Sequence, residues 1–219
     1  MAGRPRSMDD AAILDAAARV MGRTGPARFT LAVLAAEVGL VPATLVQRFG
    51  SKRGLLLALS ARTVGQADTA ADQARERHAS PLAALGALVA DVWAAGTTPE
   101  EYANHLAFLC ADLTDDEARA RALAAHRAQD RATAALLAEA VTTGELRGDT
   151  DVTALTATVQ SAVTGAGLLW SLDHRATLTV RRREALDAVL APYRTASDRG
   201  ASDRPASDRG TSDRGVRER

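Results

Sequence analysis

Apolar residues along the chain recur at intervals of three and four rather than two, which is the periodicity of amphipathic helices with one buried face. Ser7-Met8-Asp9-Asp10 opens a first helix as an N-cap with an acidic first turn, and Ile13, Leu14, Ala17, Val20 and Met21 fall on one side of it. Gly22, Gly25 and Pro26 stop it. Thr30 caps a short second helix with Leu31, Leu34, Ala35 and Val38 inward, and Gly39 ends it. Pro42, at a first-turn position, starts a third helix near Ala43 to Phe49, so only Leu40 and Val41 are left for the turn. Ser51 caps a fourth, whose Leu55, Leu56 and Leu59 pack back on the first three and whose continuation runs towards Ala79.

Further start signals follow at Ser80-Pro81, at the capping box Thr98-Pro99-Glu100-Glu101 and at Thr114-Asp115-Asp116-Glu117, the last opening a long helix to about Thr143. Gly144 and Gly148 mark a break; a helix from Asp149 or Asp151 to about Leu172 and another from about Thr179 to Tyr193 complete nine. From Ala196 the chain repeats Ser-Asp-Arg-Gly/Pro at Ser197, Ser202, Ser207 and Ser212 and has only Val216 to bury, so residues 196–219 are expected to be a disordered tail. The fold class expected is all-α.

Composition narrows this picture. With 47% hydrophobic and 25% charged residues over 219 positions, a globular core is affordable; with aromatics at only 3%, that core is built mainly of Ala, Leu and Val. The single cysteine, Cys110, has no partner for an intramolecular disulfide, and no run of signal-peptide or membrane-spanning form is evident, so a cytoplasmic protein without a membrane partner is expected. Lys plus Arg equals Asp plus Glu at 27 each, but the balance hides an asymmetry: residues 1–60 carry 8 basic against 4 acidic groups, and residues 61–195 carry 13 against 18. The positive end is the N-terminal one, as binding to a polyanion requires. The four histidines, His78, His105, His126 and His174, are too scattered to ligate a metal. Phosphate loop, dinucleotide fingerprint and nucleophile elbow are all missing, so neither cofactor nor catalysis is expected.

A helix-turn-helix needs a small residue where its helices cross, a turn residue that tolerates positive φ, and apolar residues that fix the angle. Ala35, Gly39 and the set Leu34, Val38, Leu40 and Leu45 supply these in order. That geometry would lift the outer side of the second helix into a DNA major groove, where Thr44, Gln47 and Arg48 meet base edges or phosphates and Ala43 meets a thymine methyl. The run Thr30-Leu31-Ala32-Val33-Leu34-Ala35-Ala36-Glu37-Val38-Gly39-Leu40-Val41-Pro42-Ala43-Thr44-Leu45-Val46-Gln47-Arg48-Phe49-Gly50-Ser51-Lys52-Arg53-Gly54-Leu55-Leu56 resembles the signature of the tetracycline-repressor (TetR) family of bacterial transcription regulators. Thr44, Leu45, Phe49 and Lys52 match the family pattern, and the resemblance implies that Lys52, the only lysine among the 27 basic residues, contacts phosphate. Val41, Val46 and Arg48 depart from its usual small polar residue, tyrosine and histidine; a phosphate contact is lost at Val46, and Arg48 is placed to replace it. The leader Gly3-Arg4-Pro5-Arg6 resembles basic arms that enter an adjacent minor groove. The expected DNA-contacting set is therefore Arg4, Arg6, Thr30, Pro42, Ala43, Thr44, Gln47, Arg48, Lys52 and Arg53.

The same resemblance implies an organisation: a basic arm over 1–8, a DNA-binding domain over 9–60, and a helical domain over 61–195 that senses a small molecule and forms a homodimer. Its effect would be release of a double-stranded operator by the effector. Val152, Leu155, Val159, Val163 and Ala166 on one helix and Leu186, Val189, Leu190 and Tyr193 on the last form apolar stripes assigned to the dimer bundle. Trp93, Tyr102, His105, Phe108, Leu109, His126 and Trp170 are the scarce large or polar-tipped residues that would line an effector site.

Overall fold

The computed structural model describes residues 8–91 and 97–195. Over these it contains nine α-helices: α1 (Asp10–Arg28), α2 (Leu31–Glu37), α3 (Pro42–Phe49), α4 (Lys52–Arg77), α5 (Pro81–Asp91), α6 (Pro99–Asp112), α7 (Asp116–Thr142), α8 (Val152–Asp173) and α9 (Leu178–Leu190). Among the described residues the one β-type pairing is an isolated bridge between Leu146 and Arg194, which ties the chain after α9 to the α7–α8 turn. Arm residues Arg4 and Arg6, Trp93 and the repeat tail lie outside the described residues.

The helix starts are set by side chains that satisfy first-turn amides. Thr30, Ser51 and Asp151 accept from the backbone amides of Val33, Gly54 and Ala154, and Thr98 with Glu101 forms the full reciprocal capping box. Two boundaries differ from the sequence reading. Asp9, not Ser7, caps α1, its carboxylate 2.7 Å from the amide of Ala12. Thr177 caps α9, which ends at Leu190; the chain from Ala191 to Tyr193 continues as turns rather than helix. The expected stop in α1 is a kink: Gly25 adopts φ 66°, ψ 173°, and helical turns resume through Arg28.

Two large apolar clusters hold the molecule. The first joins Ile13, Leu14, Ala17, Val20 and Met21 of α1 to Phe29, Leu34, Ala35, Val38, Leu45 and Leu55, and it also takes in Phe108 from α6. The second gathers Leu82, Leu85 and Val89 of α5, Leu136 and Leu137 of α7, Leu155 and Val159 of α8 and Leu186 and Leu190 of α9. Helix α4 runs unbroken past residue 60, contributing Leu55 to the first cluster and Ala74 to the second, so the two share a structural rod. Tyr102, Trp170 and Leu178 form a third, small cluster between α6, α8 and α9.

Leu45 is fully buried, whereas its neighbour Val46 is 46% exposed. Truncation of Leu45 to Ala removes packed methyls from the centre of the first cluster and should cost about 3 kcal/mol of unfolding free energy. Val46→Ala should change it by less than about 0.5 kcal/mol. Urea unfolding of the full chain followed by circular dichroism reads both values.

Candidate nucleic-acid interface

Helices α2 and α3 meet at 110°, within the range of a helix-turn-helix. The corner is made by the backbone. Gly39 has φ +66°; the amide of Leu40 donates to Ala35 O at 2.9 Å and that of Gly39 to Ala36 O at 3.5 Å, the pair of bonds that closes a helix end through a left-handed residue. Behind the corner, Leu34, Ala35 and Leu45 are all buried. With Leu45 inward, the opposite side of α3 is free: Pro42, Ala43, Val46, Gln47 and Arg48 are exposed, Val41 is 61% exposed, and Thr44 sits at the edge, half-buried. The start of α4 presses on the end of α3, where a Cβ on Gly54 would lie 2.0 Å from Phe49 O.

Several basic side chains expected at DNA are engaged within the protein. Arg48 reaches back to the start of α1, donating to Met8 O at 2.5 Å and lying 3.3 Å from Asp10 Oδ1. Lys52 donates to Phe29 O at 2.6 Å and Pro26 O at 3.3 Å, with its ammonium 5.4 Å from the centre of the Phe29 ring. These are carbonyls at the C-terminal end of α1, where a cation is favoured electrostatically. Arg53 is bound by two carboxylates from the α6–α7 turn, Asp115 at 3.0 Å and Glu117 in a short contact. Hydrogen bonds from the Ala118 amide and Arg53 hold the Asp115 carboxyl below its ordinary value, and Arg53 followed by Arg121 does the same for Glu117. Thr30 uses its hydroxyl oxygen as the α2 cap and remains exposed.

The residues assigned to an effector site do not converge. Tyr102 and Trp170 are buried side by side, edge to face at 6.0 Å, with the Arg182 guanidinium 5.6 Å from the centre of the Tyr102 ring. Phe108 belongs to the first cluster, edge to face with Phe29 at 5.7 Å. His105 is half-buried between α6 and α1, and burial pushes its imidazole below the usual histidine range against the opposing pull of Glu101. Leu109 is exposed, and His126 lies on the surface of α7 beside Asp130 at 3.3 Å. Scarcity in the sequence marked these side chains as unusual, but not which neighbour each would meet.

The stripes assigned to a dimer bundle point into the protomer. Leu155, Val159, Leu186 and Leu190 are buried in the second cluster, Val152, Val163, Val189 and Tyr193 pack half-buried against it, and Ala166 is half-buried. The α8 stripe packs on α7 and α9 and the α9 stripe on α5 and α8 of their own chain, which leaves the opposite side of α8 uncovered. Missed altogether in the sequence were the inter-helix contacts of Asn104, Asp115 and Glu117. The last two were legible only as a helix start.

A helix-turn-helix with an exposed second helix, mounted on an all-helical body, defines the architecture of a DNA-binding regulator. Residues 13–59 match the family model for bacterial regulatory proteins of the tetR family. Over this N-terminal region the chain is similar to the tetR family of bacterial regulatory proteins. No curated protein matches the sequence at a significant level. Solved structures share the fold over most of both chains. One is a transcriptional regulator from Saccharomonospora viridis in complex with choline, at 21% identity and TM-score 0.69, covering 83% of this chain and 95% of its own. Another is a TetR-family regulator from Rhodococcus sp., at 23% and 0.66, covering 85% and 98%. A third is SmeT, the repressor of the Stenotrophomonas maltophilia multidrug efflux pump SmeDEF, at 20% and 0.63, covering 88% and 93%.

The carboxylate pair on Arg53 has a titration signature. A carboxyl whose folded value is depressed contributes stability that is in place above its ordinary value and is lost as pH falls through the folded one. Carbon-detected NMR should find Asp115 titrating below 3.8 and Glu117 below 4.5. In Arg53→Ala both midpoints should rise; unchanged midpoints would mean that the ion pair does not form in solution.

Proposed function

We propose that the protein is a homodimeric repressor that binds a near-palindromic double-stranded operator and is released from it by a small-molecule effector. One observation carries the reading: Leu45 anchors α3 from within while Pro42, Ala43, Gln47 and the edge residue Thr44 stand on its free side. Two copies of such a helix, about 34–36 Å apart, enter successive major grooves. Gln47 and Thr44 then meet base edges and Ala43 a thymine methyl, while Lys52, Arg53, Thr30 and the arm residues Arg4 and Arg6 supply phosphate and minor-groove contacts. Arg48 and Arg53 must exchange their internal carbonyl and carboxylate partners for phosphates, which reduces what each adds to affinity. Residues up to about 60 act as the DNA-binding unit and the remainder as the sensing and dimerising unit, in the cytoplasm where its operator lies.

The dimer face of this proposal is the uncovered side of α8. Leu168, Leu169 and Leu172 are 49%, 54% and 73% exposed there, with Val180 of α9 at 42%. Ala154, Ala157, Ser161 and Thr164 continue the exposed row towards the N-terminus of α8, small enough for close approach of a second helix. Helix α8 is long and apolar enough to cross a bilayer by length and composition. Thr158, Ser161 and Thr164 on its free side fit a protein partner better than lipid. The effector acts by binding more tightly to a dimer whose reading helices no longer match the operator. That the Saccharomonospora viridis regulator of similar fold was solved in complex with choline supports a small-molecule effector, and Tyr102 with Trp170 marks where aromatic walls stand together in this chain.

Fluorescence anisotropy with duplexes from the region upstream of the protein's own coding sequence tests the reading. A sequence-preferring complex whose affinity falls steeply with salt is expected. Gln47→Ala should relax preference at particular base pairs by about 1–3 kcal/mol each, and Lys52→Ala should weaken all sequences alike. Absence of any sequence preference down to low salt would overturn the assignment. For the dimer, light scattering should give twice the chain mass for the parent and the chain mass for Leu172→Glu, which places a charge at the most exposed leucine of the face.

A further inference from the structure

Helix α1 carries a backbone defect whose repair comes from another part of the molecule. In a continuous helix the amide of residue 26 would donate to Gly22 O; Pro26 has no amide hydrogen, and Gly25 before it is in a non-helical conformation. The carbonyls around the break are satisfied one by one. Thr24 Oγ1 donates to Val20 O at 2.8 Å, Arg28 Nε to Thr24 O at 3.3 Å, and the amide of Phe29 to Gly25 O at 3.1 Å. Lys52 of α4 serves Pro26 O and Phe29 O. The orphan at Gly22 is reached from α6, whose Asn104 Nδ2 donates to it at 2.6 Å.

The fit at this point is tight. A Cβ on Gly25 would lie 2.5 Å from Asn104 Oδ1, and a Cβ on Gly22 2.9 Å from His105 Nε2, so two glycines open the socket that α6 enters. One turn further along α6, Phe108 is inserted beside Phe29, directly past the same break. The break is therefore held from two directions: by α6 through Asn104 and Phe108, and by the first residue of α4 through Lys52. Phe29 leads straight into α2, and the Lys52 bonds lie within the N-terminal helices, so the placement of the α2–α3 corner relative to the helical body passes through the α6 contacts of Asn104 and Phe108.

We infer that Asn104 is a positioning residue for DNA recognition: its amide, seated in the proline-made gap of α1, sets the orientation of the reading helix relative to the body. This rests on the regulator reading above. A carbonyl left without a donor in a half-buried site favours any rearrangement that finds it one, and rotation of α1 on α6 is the available rearrangement. Loss of the bond thus spreads the orientations of α3 rather than removing any DNA contact. Binding to an operator, which requires one orientation, suffers; binding to DNA of arbitrary sequence, which does not, is spared.

Asn104→Asp keeps the side-chain size and replaces the donor with an oxygen facing Gly22 O. In the full chain, well below its unfolding midpoint, it should weaken operator binding about tenfold while non-specific binding at low salt stays within about twofold. The second readout needs neither DNA nor a dimer. Nitroxides on Gln47→Cys and Leu123→Cys, in a Cys110→Ser background diluted into unlabelled chain, report the head-to-body distance by pulsed electron resonance. A single narrow distribution is expected for the parent and a broadened or shifted one for Asn104→Asp; Asn104→Ala is read in the same way should the aspartate variant not fold. Identical distributions would overturn the inference, whatever happens to thermal stability. A parent that selects no DNA sequence, yet shows the broadening on substitution, would leave the coupling standing and remove the regulator reading instead.

Discussion

The corner between α2 and α3 is the constraint on which the rest depends. A seven-residue helix and an eight-residue helix are each too short to persist alone, so both rely on being held against something larger. Gly39 turns the chain at positive φ, its neighbour's amide closes the end of α2, and Leu34, Ala35 and Leu45 are then driven together into the cluster built on α1. Once Leu45 is inside, the period of 3.6 residues leaves no choice about which side chains of α3 stand outside. Recognition in this protein is a by-product of core packing.

The first cluster is not confined to the N-terminal helices. Phe108 comes from α6, and Asn104, Asp115 and Glu117 from the same stretch hold α1 and α4 by hydrogen bonds and ion pairs. Helices α1 and α4 are thereby packed and bonded directly to α6 and the start of α7, and a packed interior shifts between discrete arrangements rather than deforming freely. The cationic groups beside α3 are bound within the protein: Lys52 neutralises the carbonyl end of α1, and Arg48 ties α3 to the start of α1, so both stiffen the N-terminal unit.

How far the chain could be read in advance depended on the range of the physics involved. Thr30, Ser51 and Thr98 cap helices through contacts three residues long, and their positions follow from the residue types; at the start of α8 the residue types left Asp149 and Asp151 open, and Asp151 is the cap. The corner at Gly39 and the inward Leu45 were equally legible, since one turn and one helical period decide them. The apolar stripe of α8 was legible as a stripe, yet its partner was not: Leu155 and Val159 would look the same facing a second chain as they do packed within their own, against α7 and α9. Tyr102 and Phe108, six residues apart on α6, went to different clusters for the same reason.

The sequence by itself determined the all-α architecture of the described residues, the helix-turn-helix and the likeness of residues 13–59 to the tetR family, because local hydrogen bonding and helical periodicity act over a few residues and leave their mark in residue types. Tertiary structure alone decided that Arg53 meets Asp115, that Lys52 meets Phe29 O at the end of α1, and that Asn104 meets the Gly22 carbonyl left open by Pro26, partners separated by 62, 23 and 82 positions. A donor's partner over such separations is fixed by how whole helices pack. No spacing rule along the chain encodes that.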